Sequence, residues 1–200
     1  MDEVILKGSS KGKEISLVIG CIDHDFYKCE VLIKGLGNNI KHIYEIICIV
    51  SNLSKKEKER IDGLNTMNEL NLTFYGYQET LMPGEARNIG IQKATGKYIA
   101  FLDASTTPQD NWLEIAILLL KENIGREMIL GRTKYVSSSE FEECFIAASY
   151  GKKPLFTVPG TLISKSLINK IGTFLPSIRS GEDSEWIERA SYFKSNIKNR

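Results

Sequence analysis

Residues 83–105 read PGEARNIGIQKATGKYIAFLDAS, and two elements of different period meet within them. Pro83 suits the first turn of a helix, and the pattern predicts one over Pro83–Ala94, closed by Gly96. Lys97–Leu102 (KYIAFL) then reads as a short strand buried on both faces, with Asp103 at its carboxyl end. A helix that leads directly into such a strand is half of a parallel α/β unit.

Working outward, the same alternation recurs. Glu14–Ile22 (EISLVIGCI) and Tyr44–Val50 (YEIICIV) are predicted strands, and Leu72–Tyr77 a third. Between them Phe26–Leu36 carries Phe26, Cys29, Leu32, Ile33 and Leu36 at helical spacing, stopped by Gly37. Lys55–Leu70 is a charged amphipathic helix with Ser54 at its N-cap. Beyond the opening stretch, Pro108–Glu122 is a predicted helix whose Trp112, Leu113, Ala116, Leu119 and Leu120 face inward, and Glu127–Val136 a strand. Phe141–Tyr150 has helical spacing, and Gly151–Pro159 is expected to be loop. Gly160–Ser164 leads into a helix over Lys165–Ile171, and Glu182–Phe193 is the last helix. The expected architecture is a mostly parallel sheet with helices on both faces, in one domain over residues 14–200. Residues 1–13, with the basic KGSSKGK, form a flexible lead-in, and the stop after a basic helix is expected to reflect truncation or a neighbouring domain.

Composition removes several function classes. The 200 residues are 42% hydrophobic and 26% charged, ordinary values for a globular chain. Lys and Arg (26) balance Asp and Glu (25), so no overall field points to nucleic acid. The longest apolar run, Ile115–Leu120, falls far short of the about 20 residues that a transmembrane helix needs. The start, MDEVILK, lacks the basic and apolar parts of a secretory signal. Cys21, Cys29, Cys48 and Cys144 form no C-x-x-C pair, and two histidines make a zinc cage improbable. A reduced, cytoplasmic setting is expected. G-x-G-x-x-G and G-x-x-x-x-G-K-[ST] are both missing, which argues against a dinucleotide-binding dehydrogenase and a P-loop enzyme.

In parallel sheets ligands bind beyond the carboxyl ends of the strands, so the residues after Ile22, Val50, Tyr77 and Leu102 are the candidates. Asp103, followed by Ser105, Thr106 and Thr107, stands where a divalent cation and a phosphorylated ligand would meet. The plainer alternative is that Asp103 starts a turn and Arg87 is a surface cation. A second stretch, GTLISKSLINKIGTFLPSIRSGEDSEWIERA over residues 160–190, turns at Gly181 and opens a helix with Glu182 and Asp183. There too, acids in a first helical turn can serve the dipole alone.

Taken together, in this order, the two stretches and the opening EISLVIGCIDHD resemble the family 2 glycosyltransferases, which have the GT-A fold. The A-R-N-x-G-I run before a strand and L-D-A carries the resemblance, with G-E-D next. It implies an inverting enzyme that moves a sugar from a nucleotide-diphospho-sugar to the hydroxyl of a saccharide or lipid-linked saccharide, in surface polysaccharide or glycoconjugate synthesis. The implied location is cytoplasmic, with room for a peripheral position at the inner face of the membrane.

Residue by residue, the resemblance puts Arg87 and the Gly84 turn near the nucleotide-diphosphate. Asp103 matches the first acid of the D-x-D motif, touching ribose and a divalent cation, Mg²⁺ or Mn²⁺. Asp183 matches the general base, with Glu182 and Trp186 on the acceptor side. Cys21, Asp23, Ser51 and Asn52 are expected around the nucleotide-sugar. The sequence departs from the pattern at Ser105, where a second Asp is usual. It departs again at Val50-Ser51-Asn52, which replaces an acidic pair, and at Gly20-Cys21-Ile22-Asp23. A Q-x-x-R-W motif is missing, which argues against a processive synthase. Two rival readings are a non-catalytic GT-A domain and a glycoside hydrolase using Asp103 and Asp183 as paired acids.

Overall fold

A computed structural model describes residues 14–64, 71–122, 125–137, 139–151 and 153–197. The strands are β1 (Ile15–Ile22), β2 (Ile43–Ser51), β3 (Leu72–Gly76), β4 (Tyr98–Asp103), β5 (Met128–Thr133) and β6 (Leu155–Ser164). The helices are α1 (Phe26–Lys34), α2 (Lys55–Leu64), α3 (Pro83–Lys93), α4 (Trp112–Glu122), α5 (Glu140–Ser149), α6 (Lys165–Ile171) and α7 (Glu182–Ile197). They build one six-stranded sheet in the order β3-β2-β1-β4-β6-β5. The first four strands are parallel, β6 runs antiparallel to β4, and β5 antiparallel to β6.

The unbroken apolar runs follow from a sheet covered on both faces. Alternate side chains of β1 enter different layers. Leu17 and Ile19 pack with Phe26, Leu32, Ile61 and Leu113 beneath α1, α2 and α4. Val18 joins Ile91, Phe101, Phe174 and Trp186 beneath α3, α6 and α7. The predicted lead-in and residues 65–70 of the predicted second helix lie outside the described residues.

Residues 155–159, expected to be loop, are the first half of β6. Pro159 disguised the strand, because proline interrupts a hydrogen-bonding ladder. It sits beside the register shift of the β5–β6 pair, where Ile129 faces Leu162 but Gly131 faces Thr157. Gly131 is required there: a Cβ would stand 2.0 Å from the Pro159 carbonyl oxygen.

Two features of the topology prepare the site. After β3 the chain returns to the far side of β1, so the carboxyl ends of β1 and β4 are neighbours, with Gly20 opposite Asp103. This is the switch point at which open α/β sheets hold ligands. In addition, β6 meets β4 only from Leu162 to Ser164, while its pairing with β5 continues to Leu155 opposite Thr133. The β5–β6 ribbon therefore overhangs the carboxyl edge of the sheet.

Candidate active site

A cavity of about 310 Å³ opens at the β1/β4 switch point, lined by Cys21, Ser51, Arg87, Asp103, Ser105, Glu182 and Asp183 among others. Each residue arrives by a local device. Ser51 ends β2, and Cys21 lies near the end of β1. A hydrogen bond with Cys29, then burial, push the Cys21 thiol up, so it is neutral at the wall.

Helix α3 brings Arg87. Its first turn is closed by Glu85, which accepts from the Met82 backbone N–H at 2.8 Å. Asn88, one residue after Arg87, pins the segment before α7: Nδ2 donates to the Phe174 carbonyl (2.8 Å) and Oδ1 accepts from its N–H (2.9 Å). Gly84 lets that segment close in, since a Cβ would lie 3.0 Å from the Leu175 carbonyl oxygen.

The centre of the site is a buried charge cluster. Arg87 is 5% exposed, and its guanidinium holds three carboxylates. Nη2 donates to Asp103 Oδ1 at 3.1 Å; Nη1 donates to Glu182 Oε1 at 3.2 Å and to Asp183 Oδ1 at 2.5 Å. Below it lies Phe174, with the guanidinium carbon 5.4 Å from the ring centre. Phe174 stacks in turn on Trp186 at 4.6 Å, and Phe101 meets both edge-on.

One guanidinium against three carboxylates leaves excess negative charge. The acids raise Arg87 above its ordinary value even though burial opposes this. Burial pushes the Asp183 carboxyl up to about 6; Arg87 pulls it down, while Glu182 and Asp103 push it further up. Among the described residues no group of three His, Cys, Asp or Glu side chains is placed to hold a metal ion. Asp103 differs from Glu182 in being open: its side chain is 42% exposed to the cavity that Ser105 also lines.

Arg87, Asp103, Asp183, Glu182, Cys21, Ser51 and Ser105 thus surround one cavity, but several expected roles change. Trp186 is fully buried and donates through Nε1 to the Gly172 carbonyl at 3.0 Å, so it supports Phe174 and does not face an acceptor. Glu182 is held beside Asp183 by the same guanidinium and is itself buried. Gly84 packs against Phe174 and Leu175 and is not among the lining residues. Asn52 takes the left-handed conformation (φ 61°), and its Oδ1 accepts from the Thr80 hydroxyl at 3.1 Å. Neither Asn52 nor Asp23 is among the lining residues; Asp25, which the sequence reading missed, is. Both Asp23 and Asp25 sit in a short 3₁₀ turn, so the acidic pair was visible but not its orientation.

The model of the family described as glycosyl transferase family 2 matches residues 26–145, more than half of the chain. The chain belongs to that family. Among curated relatives, the glycosyltransferase AglE of Haloferax volcanii is 25% identical over 166 residues, which cover 76% of this chain and 52% of that protein. An uncharacterized glycosyltransferase of Rickettsia bellii is 32% identical over 119 residues, 54% of this chain and 17% of that protein. The chain therefore spans about half of the first relative and a far smaller part of the second. Among solved structures, S. aureus TarS in complex with UDP-GlcNAc superposes with a TM-score of 0.62 at 17% identity, covering 88% of this chain and 53% of that one. The mannosyltransferase PcManGT of Pyrobaculum calidifontis, in complex with GDP-Man and Mn²⁺, gives 0.60 at 13% identity over 88% and 51%. These likenesses establish the GT-A fold of this family 2 glycosyltransferase domain. Among its described residues no helix is long and apolar enough to cross a membrane.

Proposed function

We propose that this domain transfers a glycosyl group from a nucleotide-diphospho-sugar to an acceptor hydroxyl, with inversion at the anomeric carbon. The observation that carries the reading is the Arg87 cluster, which holds Asp103 and Asp183 on one cavity 80 residues apart in the chain. Asp103 serves the donor and Asp183 the acceptor. A carboxylate with a pKa of about 6 is mostly ionised at neutral pH and still basic enough to accept a proton usefully. The acceptor oxygen attacks the anomeric carbon opposite the diphosphate and the new C–O bond forms as the bond to the phosphate oxygen breaks. The hydroxyl proton passes to Asp183, and the bonding electrons leave with the nucleoside diphosphate.

The residues present fit a divalent cation, Mg²⁺ or Mn²⁺. Such ions commonly bind through one or two carboxylates plus substrate phosphates, and Asp103 offers an open carboxylate with Ser105 beside it. When bound, the ion neutralises charge that grows on the diphosphate leaving group. The nucleotide-sugars in the TarS and PcManGT complexes, and the Mn²⁺ of the latter, support this donor class. The reading extends to a saccharide or lipid-linked saccharide acceptor, in surface polysaccharide or glycoconjugate synthesis on the cytoplasmic side.

The test is a thermal-shift screen with UDP, GDP, dTDP and CDP, each with and without Mn²⁺. A ligand at 100 times its Kd adds about 2.7 kcal/mol of stability. One nucleotide should raise the melting temperature further with Mn²⁺, and its sugar conjugate should release free nucleoside diphosphate. No shift from any of the four would refute the reading. A shift without turnover of any donor would favour a domain that only binds.

A further inference from the structure

We propose that the hollow between residues 134–137 and α5 is a saccharide subsite, in which a pyranose ring of the acceptor stacks on Tyr135; this rests on the transferase reading of the neighbouring cleft. The hollow measures about 330 Å³ and is lined by Lys134, Tyr135, Val136, Glu143 and Ile146, among others. That volume lies within the range of small-molecule pockets, about 300–1,000 Å³.

Its position follows from the overhanging ribbon. Residues 134–137 continue from β5, which runs parallel to β4, so they leave the sheet on the side where Asp103 lies. The fields of Asp103 and Asp183 reach Tyr135: burial raises its phenol pKa first, then Tyr150 and these two carboxylates. The subsite and the reacting groups are therefore electrostatic neighbours.

The lining matches the chemistry of a sugar. Tyr135 and Tyr150 stack at 4.1 Å with their planes 14° apart, and Phe145 meets Tyr150 edge-on. A ring braced in this way is a flat apolar surface for the C–H face of a pyranose. Lys134, Ser137 and Glu143 add donors and acceptors for hydroxyls around it. An anionic membrane surface suits the region less well, because Glu140, Glu142 and Glu143 fill the first turn of α5. No residue of α5 is buried, so the helix stands as a wall and not as part of the core.

The experiment uses methyl glycosides of glucose, galactose, mannose and N-acetylglucosamine as probes, observed by saturation-transfer NMR at millimolar concentration. At least one should bind the wild-type chain. Tyr135→Ala should weaken it about tenfold, the scale of one aromatic contact. Tyr135→Phe should retain binding, and Ala147→Trp, which fills the hollow without removing a contact, should abolish it. All three variants should keep the nucleotide-induced thermal shift. Silence of the whole panel, or wild-type binding by Tyr135→Ala, overturns the subsite. If the nucleotide shift persists alongside that result, the transferase reading stands. Glycoside binding on Tyr135 without any nucleotide shift would show a saccharide site there but overturn the transferase reading, and with it the acceptor role of the subsite.

Discussion

Nη1 of Arg87 donates to Oδ1 of Asp183 at 2.5 Å, although 96 residues separate them in the chain. The contact fixes α7 against α3 at the mouth of the cavity. It also bears on the protonation of Asp183: burial pushes the carboxyl up, and Arg87 favours its ionised form. The same guanidinium binds Asp103, so donor and acceptor sides share one cation. Anything that shifts Arg87 acts on both.

Asp183→Asn tests the base. The amide keeps the shape but takes no proton, so transfer should fall by about 10²–10⁴-fold, the usual value of general-base assistance. The wild-type rate should rise with pH through about 6, as Asp183 ionises, and this limb should vanish in the variant. Nucleotide binding should change little. A variant rate near wild type, with its pH dependence intact, would move the role to Glu182, since Glu185 is paired with Arg189 and does not line the cavity.

Arg87→Ala tests the cluster as a stabilising unit. Removing one partner from a buried ion pair strands the other and costs about 3–5 kcal/mol. Here three carboxylates lose the guanidinium that they share. Asp183 already has a raised pKa, and without Arg87 it should rise further. A raised carboxyl contributes stability below its unfolded pKa and loses that contribution as pH rises through the folded value. The deficit of the variant should therefore be larger at pH 8 than at pH 5. Urea unfolding at both values checks this; an equal deficit would mean that the acids do not depend on Arg87.

How much of this was legible depends on the range of the interaction. The helix–strand unit ending in Asp103 was readable because period and breaker residues are local signals. Asp183 was legible only through a resemblance, and its partner was not: Arg87 was expected beside a diphosphate, and its pairing spans 96 residues. Trp186 shows the same limit. Helical periodicity puts it on one face of α7, but only packing reveals that this face meets Phe174. Tyr135 was passed over because its stacking partner, Tyr150, lies beyond a whole helix. The first half of β6 was masked by Pro159, and also because Leu155 and Phe156 are exposed on the overhang and carry no alternation.

Ser105→Asp tests the cation side. Restoring a second carboxylate should tighten Mn²⁺ binding in the presence of nucleotide, because hard cations favour charged oxygen donors. Isothermal titration with Mn²⁺, at saturating nucleoside diphosphate, gives the comparison. Unchanged or weaker binding would mean that Asp103 and Ser105 do not share the ion.

Gly90→Ala tests the seat of the helix that carries Arg87. A Cβ at this position would lie 2.3 Å from Cγ1 of Val18 and 3.1 Å from Cγ2. Alanine gains about 1 kcal/mol of helix propensity over glycine. Overpacking a tight core costs about 1–3 kcal/mol, and Val18 has little freedom to yield. It is buried in β1, whose neighbours β2 and β4 hold it on both sides, and its branched side chain is stiff. The clash should win, so we expect a net loss of up to about 2 kcal/mol with an unchanged urea m-value. Relief must come from α3 lifting off β1, which carries Arg87 away from Asp103. Transfer should therefore drop more than stability does. A variant as stable as wild type would show that α3 is not seated on Val18.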